Sequence, residues 1–146
     1  MTDTILIING PNLDMLGTRQ PEVYGHDTLA DVEALCQRTA EDEGVAIDFR
    51  QSDSETEIMS WIKQGRGVTA GLILNPAGFT STSIAILDAL LIYDLPIIEV
   101  HISPLFRRDE FRQLSYPSKA ASAKIEGCGI RGYEFALRKL AEWARG

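Results

Sequence analysis

Three groups of residues in this chain have the types and spacing for proton chemistry. The first lies between Asn9 and Gly25, where Arg19 and Tyr24 stand close together. A free tyrosine has a pKa of about 10, so about one phenol in a thousand is ionised at neutral pH, and making it a base costs about 4 kcal/mol. A guanidinium about 4 Å away returns about that much at an effective dielectric near 20, and only about 1 kcal/mol in bulk water. Tyr24 therefore works as a base beside Arg19 only where the loop closes and expels water. Otherwise the pair is a surface tyrosine stacked on an arginine. The second group is Glu99 and His101. Residues i and i+2 of a strand face the same side. Glu99 can then accept from one imidazole nitrogen and fix the tautomer, which leaves the other nitrogen for acid or base work; a buried histidine satisfied by its neighbour is the plainer alternative. The third group is Arg107, Arg108 and Arg112. Asp109 and Glu110 interleave with them, so the first expectation is a solvated charged helix. Arg108 and Arg112 are then one turn apart on a shared face, and Arg112 can hold an anionic or polyhydroxy ligand through paired hydrogen bonds.

The elements that must position these groups follow from the apolar pattern. Ile5 to Ile8 reads as a buried strand, and a helix starts at Asp27-Thr28. Connections between such elements are usually about two to six residues. The stretch between them is longer, as lids and binding loops are, with the lid expected at about residues 17–26. Leu29, Val32, Leu35, Cys36 and Thr39 have helical spacing, and Gly44 ends that helix. Val45 to Arg50 is a second strand. Ser54 opens a helix through Met59, Trp61 and Ile62 that ends near Gly65-Arg66-Gly67. Gly71 to Leu74 is a third strand, apolar on both sides as a central parallel strand is. Thr80 to Tyr93 reads as a helix, its Thr80-Ser81-Thr82-Ser83 hydroxyls serving as caps or ligand contacts. Pro96 to Val100 is a fourth strand, Ala123 to Ile125 a weak fifth, and Gly132 to Ala144 a terminal helix. Strands alternating with helices predict one α/β domain over residues 1–146, a flavodoxin-like, doubly wound five-stranded parallel sheet with helices on both faces. Its ligand crevice belongs at the carboxyl ends of the strands. Asn9 to Asn12, Asn75 to Gly78 and Glu99 to Ser103 end three of them, so these segments should converge. Ile102 and Ser103 can offer backbone N–H groups to a carboxylate, and Pro104 none.

Composition narrows the chemistry. The formal charge of -7 on 146 residues argues against nucleic acid or an anionic membrane as partner. An anionic small molecule stays open, because local arginines can override the global field. No apolar stretch is long enough to span a bilayer, and no basic-then-apolar leader begins the chain. Cys36 and Cys128 fit neither metal spacing nor a disulfide framework and read as reduced core thiols of a cytoplasmic protein. His26, beside Gly25, reads as a surface residue. The phosphate loop ending in Gly-Lys-Ser/Thr is missing, as is G-x-G-x-x-G after the first strand, and no His/Cys cluster has metal spacing. The expected chemistry is acid–base work without metal or cofactor.

Taken together, Asn9 to Gly25, Asn75-Pro76, Glu99-Val100-His101-Ile102-Ser103, Arg108 with Phe111-Arg112, Ser115-Tyr116 and Gly129-Ile130-Arg131-Gly132-Tyr133 resemble the type II 3-dehydroquinate dehydratases over essentially the whole chain. The resemblance implies a cofactor-free anti elimination of water from 3-dehydroquinate, through an enolate, to 3-dehydroshikimate. That step serves both aromatic amino acid biosynthesis in the shikimate pathway and quinate catabolism. It implies that Tyr24 is the base, acidified by Arg19; that Asn12 holds a water on the enolate oxygen; and that His101, oriented by Glu99, protonates the departing hydroxyl. It assigns the substrate carboxylate to the Ile102 and Ser103 backbone and the ring hydroxyls to Asn75 and Arg112. It gives Asp88 to a neighbouring subunit's site, in a homo-oligomer that is usually a dodecamer of four trimers. The chain departs from the family pattern at Ser81, where members usually carry a substrate-contacting histidine, and at Pro104 and Phe106, usually asparagine and histidine. Ala77-Gly78 inverts a common Gly-Ala order. These departures keep two alternatives in view: a paralogue that dehydrates a related cyclic hydroxy-ketone, and a ring-ligand-binding protein without turnover.

Overall fold

The structure, a computed structural model, describes residues 2–18 and 20–146, without the side chains of Val23 and Tyr24. Among these residues five strands form one parallel sheet: β1 (Thr4–Asn9), β2 (Ala46–Gln51), β3 (Gly71–Asn75), β4 (Ile97–His101) and β5 (Ala123–Glu126), in the order β2-β1-β3-β4-β5. The order reverses direction beside β1, which opens a crevice at the carboxyl ends of β1, β3 and β4. Around the sheet run α1 (Pro21–Tyr24), α2 (Leu29–Glu43), α3 (Glu55–Gly65), α4 (Ile84–Tyr93) and α5 (Arg131–Arg145).

Side-chain alternation along the strands explains the two layers. Ile5 and Ile7 of β1, Ile73 of β3, and Ile98 and Val100 of β4 face α2 and α5, where Val32, Cys36, Ala40, Leu137 and Leu140 close one core. Leu6, Ile8, Leu72, Leu74 and Ile97 face α3 and α4, and meet Ile58, Ile62, Ile86, Leu90 and Tyr93. Strands apolar on both faces are what a sheet covered on both sides requires. Helix starts are set locally. Thr28 and Asp31 form a reciprocal cap at α2, Ser54 caps α3, and Ser83 caps α4; each side-chain oxygen takes a backbone N–H that the first turn leaves unpaired.

Three expectations are corrected. The third long helix starts at Ile84 and not at Thr80: residues 77–79 form a 3-10 turn, and the fourth hydroxyl of the Thr80-Ser81-Thr82-Ser83 run is the one that caps. The arginine segment is no charged α-helix. It makes two 3-10 turns, Leu105–Arg107 and Glu110–Arg112, since Pro104 and the alternating charges leave it no apolar stripe to bury. Cys128 is exposed in the turn before α5, and only Cys36 is a core thiol; burial pushes the Cys36 thiol up to about 12. The β1–α2 connection is also more ordered than a plain loop, holding a 3-10 turn at Leu13–Met15 and the short helix α1. Among the described residues no helix is long and apolar enough to cross a membrane.

Candidate active site

Three strand ends build the floor of one cleft. At β1, Gly10 N–H donates to the Asn75 carbonyl at 2.8 Å. A Cβ at Gly10 would lie 2.5 Å from the Pro76 carbonyl oxygen, so only glycine lets β1 and β3 approach this closely. Asn12 follows with φ 69°, a left-handed conformation that asparagine tolerates better than most residues. Its backbone N–H donates to Asp53 Oδ1 at 2.9 Å, and Gln51 Nε2 braces both Asp53 Oδ1 and the Gly10 carbonyl at 3.1 Å.

At β3, a directional hydrogen-bond chain fixes Asn75. Ala77 N–H donates to its Oδ1 at 3.2 Å, which turns Nδ2 toward the Tyr133 hydroxyl at 2.9 Å. Tyr133 in turn donates to Asn9 Oδ1 at 2.7 Å, and Asn9 Nδ2 to the Arg50 carbonyl at 3.0 Å. Tyr133 is fully enclosed, and burial holds its phenol protonated far above the ordinary range. It is a structural donor.

At β4, Glu99 is fully buried beneath His101. His101 Nε2–H donates to Glu99 Oε2. Ser115 Oγ donates to the same oxygen at 2.8 Å, and Ser118 Oγ to Oε1 at 2.5 Å. Burial by itself would raise the Glu99 carboxyl. The hydrogen bonds from His101, Ser118 and Ser115, with the imidazole's charge, outweigh it and hold the carboxyl below its ordinary value. An ionised Glu99 fixes the proton on Nε2 and leaves Nδ1 as the nitrogen that can exchange a proton elsewhere.

The walls come from the β4–β5 connection and the β3–α4 turn. Two contacts pin them together: Tyr116 N–H to the Thr80 carbonyl at 3.0 Å, and Ser81 Oγ to the Leu114 carbonyl at 2.6 Å. Ser81 thus spends its proton on the wall and presents lone pairs to the cleft. Arg112 lies against the Phe111 ring at 5.1 Å. Among the described residues its buried Nε has no hydrogen-bond partner and an ion-pair contact with Asp109 Oδ2 at 3.6 Å, and a buried donor without a hydrogen bond is costly until a ligand accepts from it. Arg108 Nη1 reaches Ser103 Oγ at 3.5 Å.

Asn12, Asn75, Ser81, His101, Ile102, Ser103 and Arg112 all line this cleft, which encloses about 140 Å³. Glu99 stands behind it, hydrogen-bonded to His101 Nε2. Asp88 is exposed on α4 and does not line the cleft. Arg19 and the Tyr24 side chain lie outside the described residues; the Tyr24 backbone ends α1, and Gly25 N–H bonds back to the Pro21 carbonyl at 2.8 Å. His26 is exposed. Among the described residues no group of three or more His, Cys, Asp or Glu could hold a metal ion.

Sequence reasoning did not anticipate the roles of Ser115, Ser118 and Tyr133, which only long-range folding brings to the site.

Comparisons with known proteins bear on the family and the fold. Residues 3–141 match the Dehydroquinase class II family. The 3-dehydroquinate dehydratase of Streptomyces avermitilis is 53% identical over 141 residues, covering 96% of this chain and 89% of its own. The 3-dehydroquinate dehydratase 2 of Agrobacterium fabrum is 54% identical over 134 residues, covering 92% and 91%. The crystal structure of the type II dehydroquinase from Propionibacterium acnes superposes with a TM-score of 0.93 at 42% identity, covering 97% of this chain and 98% of that one. This chain belongs to the class II dehydroquinase family.

Proposed function

We propose that this chain is a 3-dehydroquinate dehydratase, a hydro-lyase that removes water from its cyclic substrate through an enolate. The observation that carries the reading is the cleft itself: seven of the expected site residues line it, and the histidine among them is backed by a buried, ionised carboxylate.

The chemistry divides between its two sides. Tyr24, acidified by Arg19 once the 17–26 segment closes as a lid, takes the proton next to the ketone. The electron pair moves onto the ketone oxygen, where a water held by Asn12 stabilises the developing charge. The enolate then collapses and expels the hydroxyl on the opposite face as it accepts the Nδ1 proton of the His101 imidazolium, so that water leaves, the imidazole is left neutral with its Nε2 proton, and the ring gains a carbon–carbon double bond. Glu99 contributes by keeping that ring oriented and its Nε2 protonated. The substrate carboxylate lies against the Ile102 and Ser103 backbone. Asn75 and Arg112 take ring hydroxyls, with Ser81 accepting from one of them. No step in this scheme calls on a cofactor.

The same reading makes the active form an oligomer of trimers. Asp88 sits on α4 among Ile84, Leu91 and Ile92, which are 55%, 59% and 48% exposed; this apolar face supports docking by a second copy, which would receive Asp88 at its cleft. A cytoplasmic setting suits a chain whose two cysteines are free thiols. The test is direct. Purified protein without added metal should convert 3-dehydroquinate to an ultraviolet-absorbing enone, and Tyr24→Phe should remove the activity. Turnover in Tyr24→Phe at the parent rate would refute the assigned base.

A further inference from the structure

Four ionisable residues make a square on one face of the sheet at the edge of the site. β4 and β5 pair in parallel, with Glu99 beside Lys124 and His101 beside Glu126. Ile98 and Val100 of β4, and Ala123 and Ile125 of β5, pack into the layer beneath. Alternation therefore places the other four together on the opposite face. Lys124 Nζ lies 3.9 Å from Glu99 Oε2 and 3.4 Å from Glu126 Oε2. The Glu99 oxygen it faces is the one that accepts from His101 Nε2, while Ser118 occupies the other oxygen. Lysine and imidazole thus address one carboxylate oxygen from two strands.

We propose that Lys124 and Glu126 are positioning residues for the acid: Lys124 shares the Glu99 carboxylate with His101, and Glu126 draws part of the lysine's charge away, so that the pair sets how firmly Glu99 grips the imidazole. The proposal rests on the reading of His101 as the proton donor. Glu99's side chain is fully buried and Lys124's is 32% exposed, so the lysine acts across a boundary where a unit charge counts for more than it does in water. A cation at this carboxylate weakens its hold on a protonated ring, and an anion beside the ring strengthens it. The other polar groups facing the pair come from separate elements. Ser115 and Ser118 donate to Glu99 from the β4–β5 connection; Arg108 of that connection reaches Ser103; and Asn12 and Arg112 line the cleft that His101 faces. Glu126 is itself anchored, accepting from Phe106 N–H at 3.3 Å. The ion pair therefore also ties β5 to the wall of the cleft.

The experiment is a titration by nuclear magnetic resonance of protein with 13C-labelled imidazoles. The chain has two histidines, and the exposed His26 serves as internal reference. In Lys124→Met the His101 ring should titrate about half a pH unit to one unit higher than in the parent protein. In Glu126→Gln it should move down by a similar amount, the double variant should return close to the parent, and Lys124→Arg should stay there. The alkaline limb of kcat, where the acid loses its proton, should follow the same crossed pattern. A structural ion pair without this role would cost some stability and move neither curve. No shift in Lys124→Met, or shifts of the same sign in the two single variants, overturns the proposal. Turnover without crossed shifts rejects the coupling alone, whereas crossed shifts without turnover reject the dehydratase reading and, with it, the role assigned here.

Discussion

On the β4 side of the cleft both oxygens of Glu99 are engaged by donors from the strand and from the segment that follows it, whereas on the β1 side Asn12 is exposed and joins the fold through its backbone, braced by Asp53 and Gln51. The contrast has a physical reason. A carboxylate taken fully out of water must find all of its donors in the folded protein, so the acid's support is built before substrate arrives. The proposed base has the opposite need. Its phenol gains from a guanidinium only in a dry site, and a site that is dry must still admit substrate. Under the proposed mechanism its segment opens and shuts, and a segment that does so is not locked by a buried network.

The largest effect should come from the side of the proposed base. In the proposed mechanism Tyr24→Phe removes the proton acceptor, so kcat should fall by about a hundredfold to ten-thousandfold. Glu99→Gln comes next and should affect both rate and stability, because it strikes the built side. The amide keeps the shape but loses the charge that fixes the imidazole, and kcat should drop about tenfold to a thousandfold.

The pH dependence of stability sharpens the contrast. Glu99's carboxyl is held below its ordinary value in the folded protein, so between the two values the unfolded chain binds more protons than the folded one. This contribution is fully present above the ordinary carboxylate value of 4.5 and is lost as pH falls through the folded value. Glu43 and Glu134, shifted in the same direction chiefly by their hydrogen bonds to Arg138, add to the loss. Thermal melts from pH 7 down to pH 3 should therefore show falling stability in the parent and a shallower fall in Glu99→Gln, where only the surface pairs remain. Identical slopes would mean that Glu99 is not held ionised.

Ser118→Ala is the milder probe of the same network. It deletes one hydroxyl from Glu99 Oε1 and leaves Ser115 and His101 in place, so it should cost about 1.5–3 kcal/mol of stability, as hydrogen bonds to charged groups do. Its rate effect should be smaller than that of Glu99→Gln, and substrate KM should hold, because Ser118 does not line the cleft. A KM that rises in proportion would place Ser118 against substrate.

These two sides were unequally legible in the sequence. Glu99 and His101 could be paired because both lie in one strand, two residues apart, where geometry is fixed by the pleat. The strands themselves were visible as apolar runs, and the order of alternation gave the layers. Ser115 and Ser118 reach Glu99 across sequence separations of 16 and 19, and Tyr133 reaches Asn9 across 124; no local periodicity encodes contacts of that kind. The arginine stretch from Arg107 to Arg112 reads as a charged helix in the sequence, because the 3-10 turns it forms, of three residues each, carry too short a pattern to be told from a charged helical turn. The start of α4 is ambiguous in the sequence because four consecutive hydroxyl residues each offer a cap; in the fold Ser83 is selected, its Oγ donating to Glu55 Oε2 and accepting from Ile86 N–H.

The smallest expected effect lies at β3, between the two sides. Ala77 has φ 49°, a left-handed conformation that costs a non-glycine residue about 1–2 kcal/mol. The neighbouring Gly78 needs no such freedom, and a Cβ there would meet nothing nearer than Pro11 Cγ at 3.8 Å. The inverted Ala-Gly order thus puts the methyl where the backbone resists it and the glycine where a methyl would fit. Ala77→Gly should release the strain, less about 0.4–1 kcal/mol for the added freedom of the unfolded chain, and so raise stability by about half a kcal/mol. The alanine methyl also packs against the α2/α5 core, and Ala77 N–H orients the Asn75 amide. A more pliable residue should therefore loosen Asn75 slightly and raise KM about twofold while kcat stays put. A lower melting temperature would show that packing of the methyl outweighs the strain, and the β3 end would then belong with the built side of the cleft.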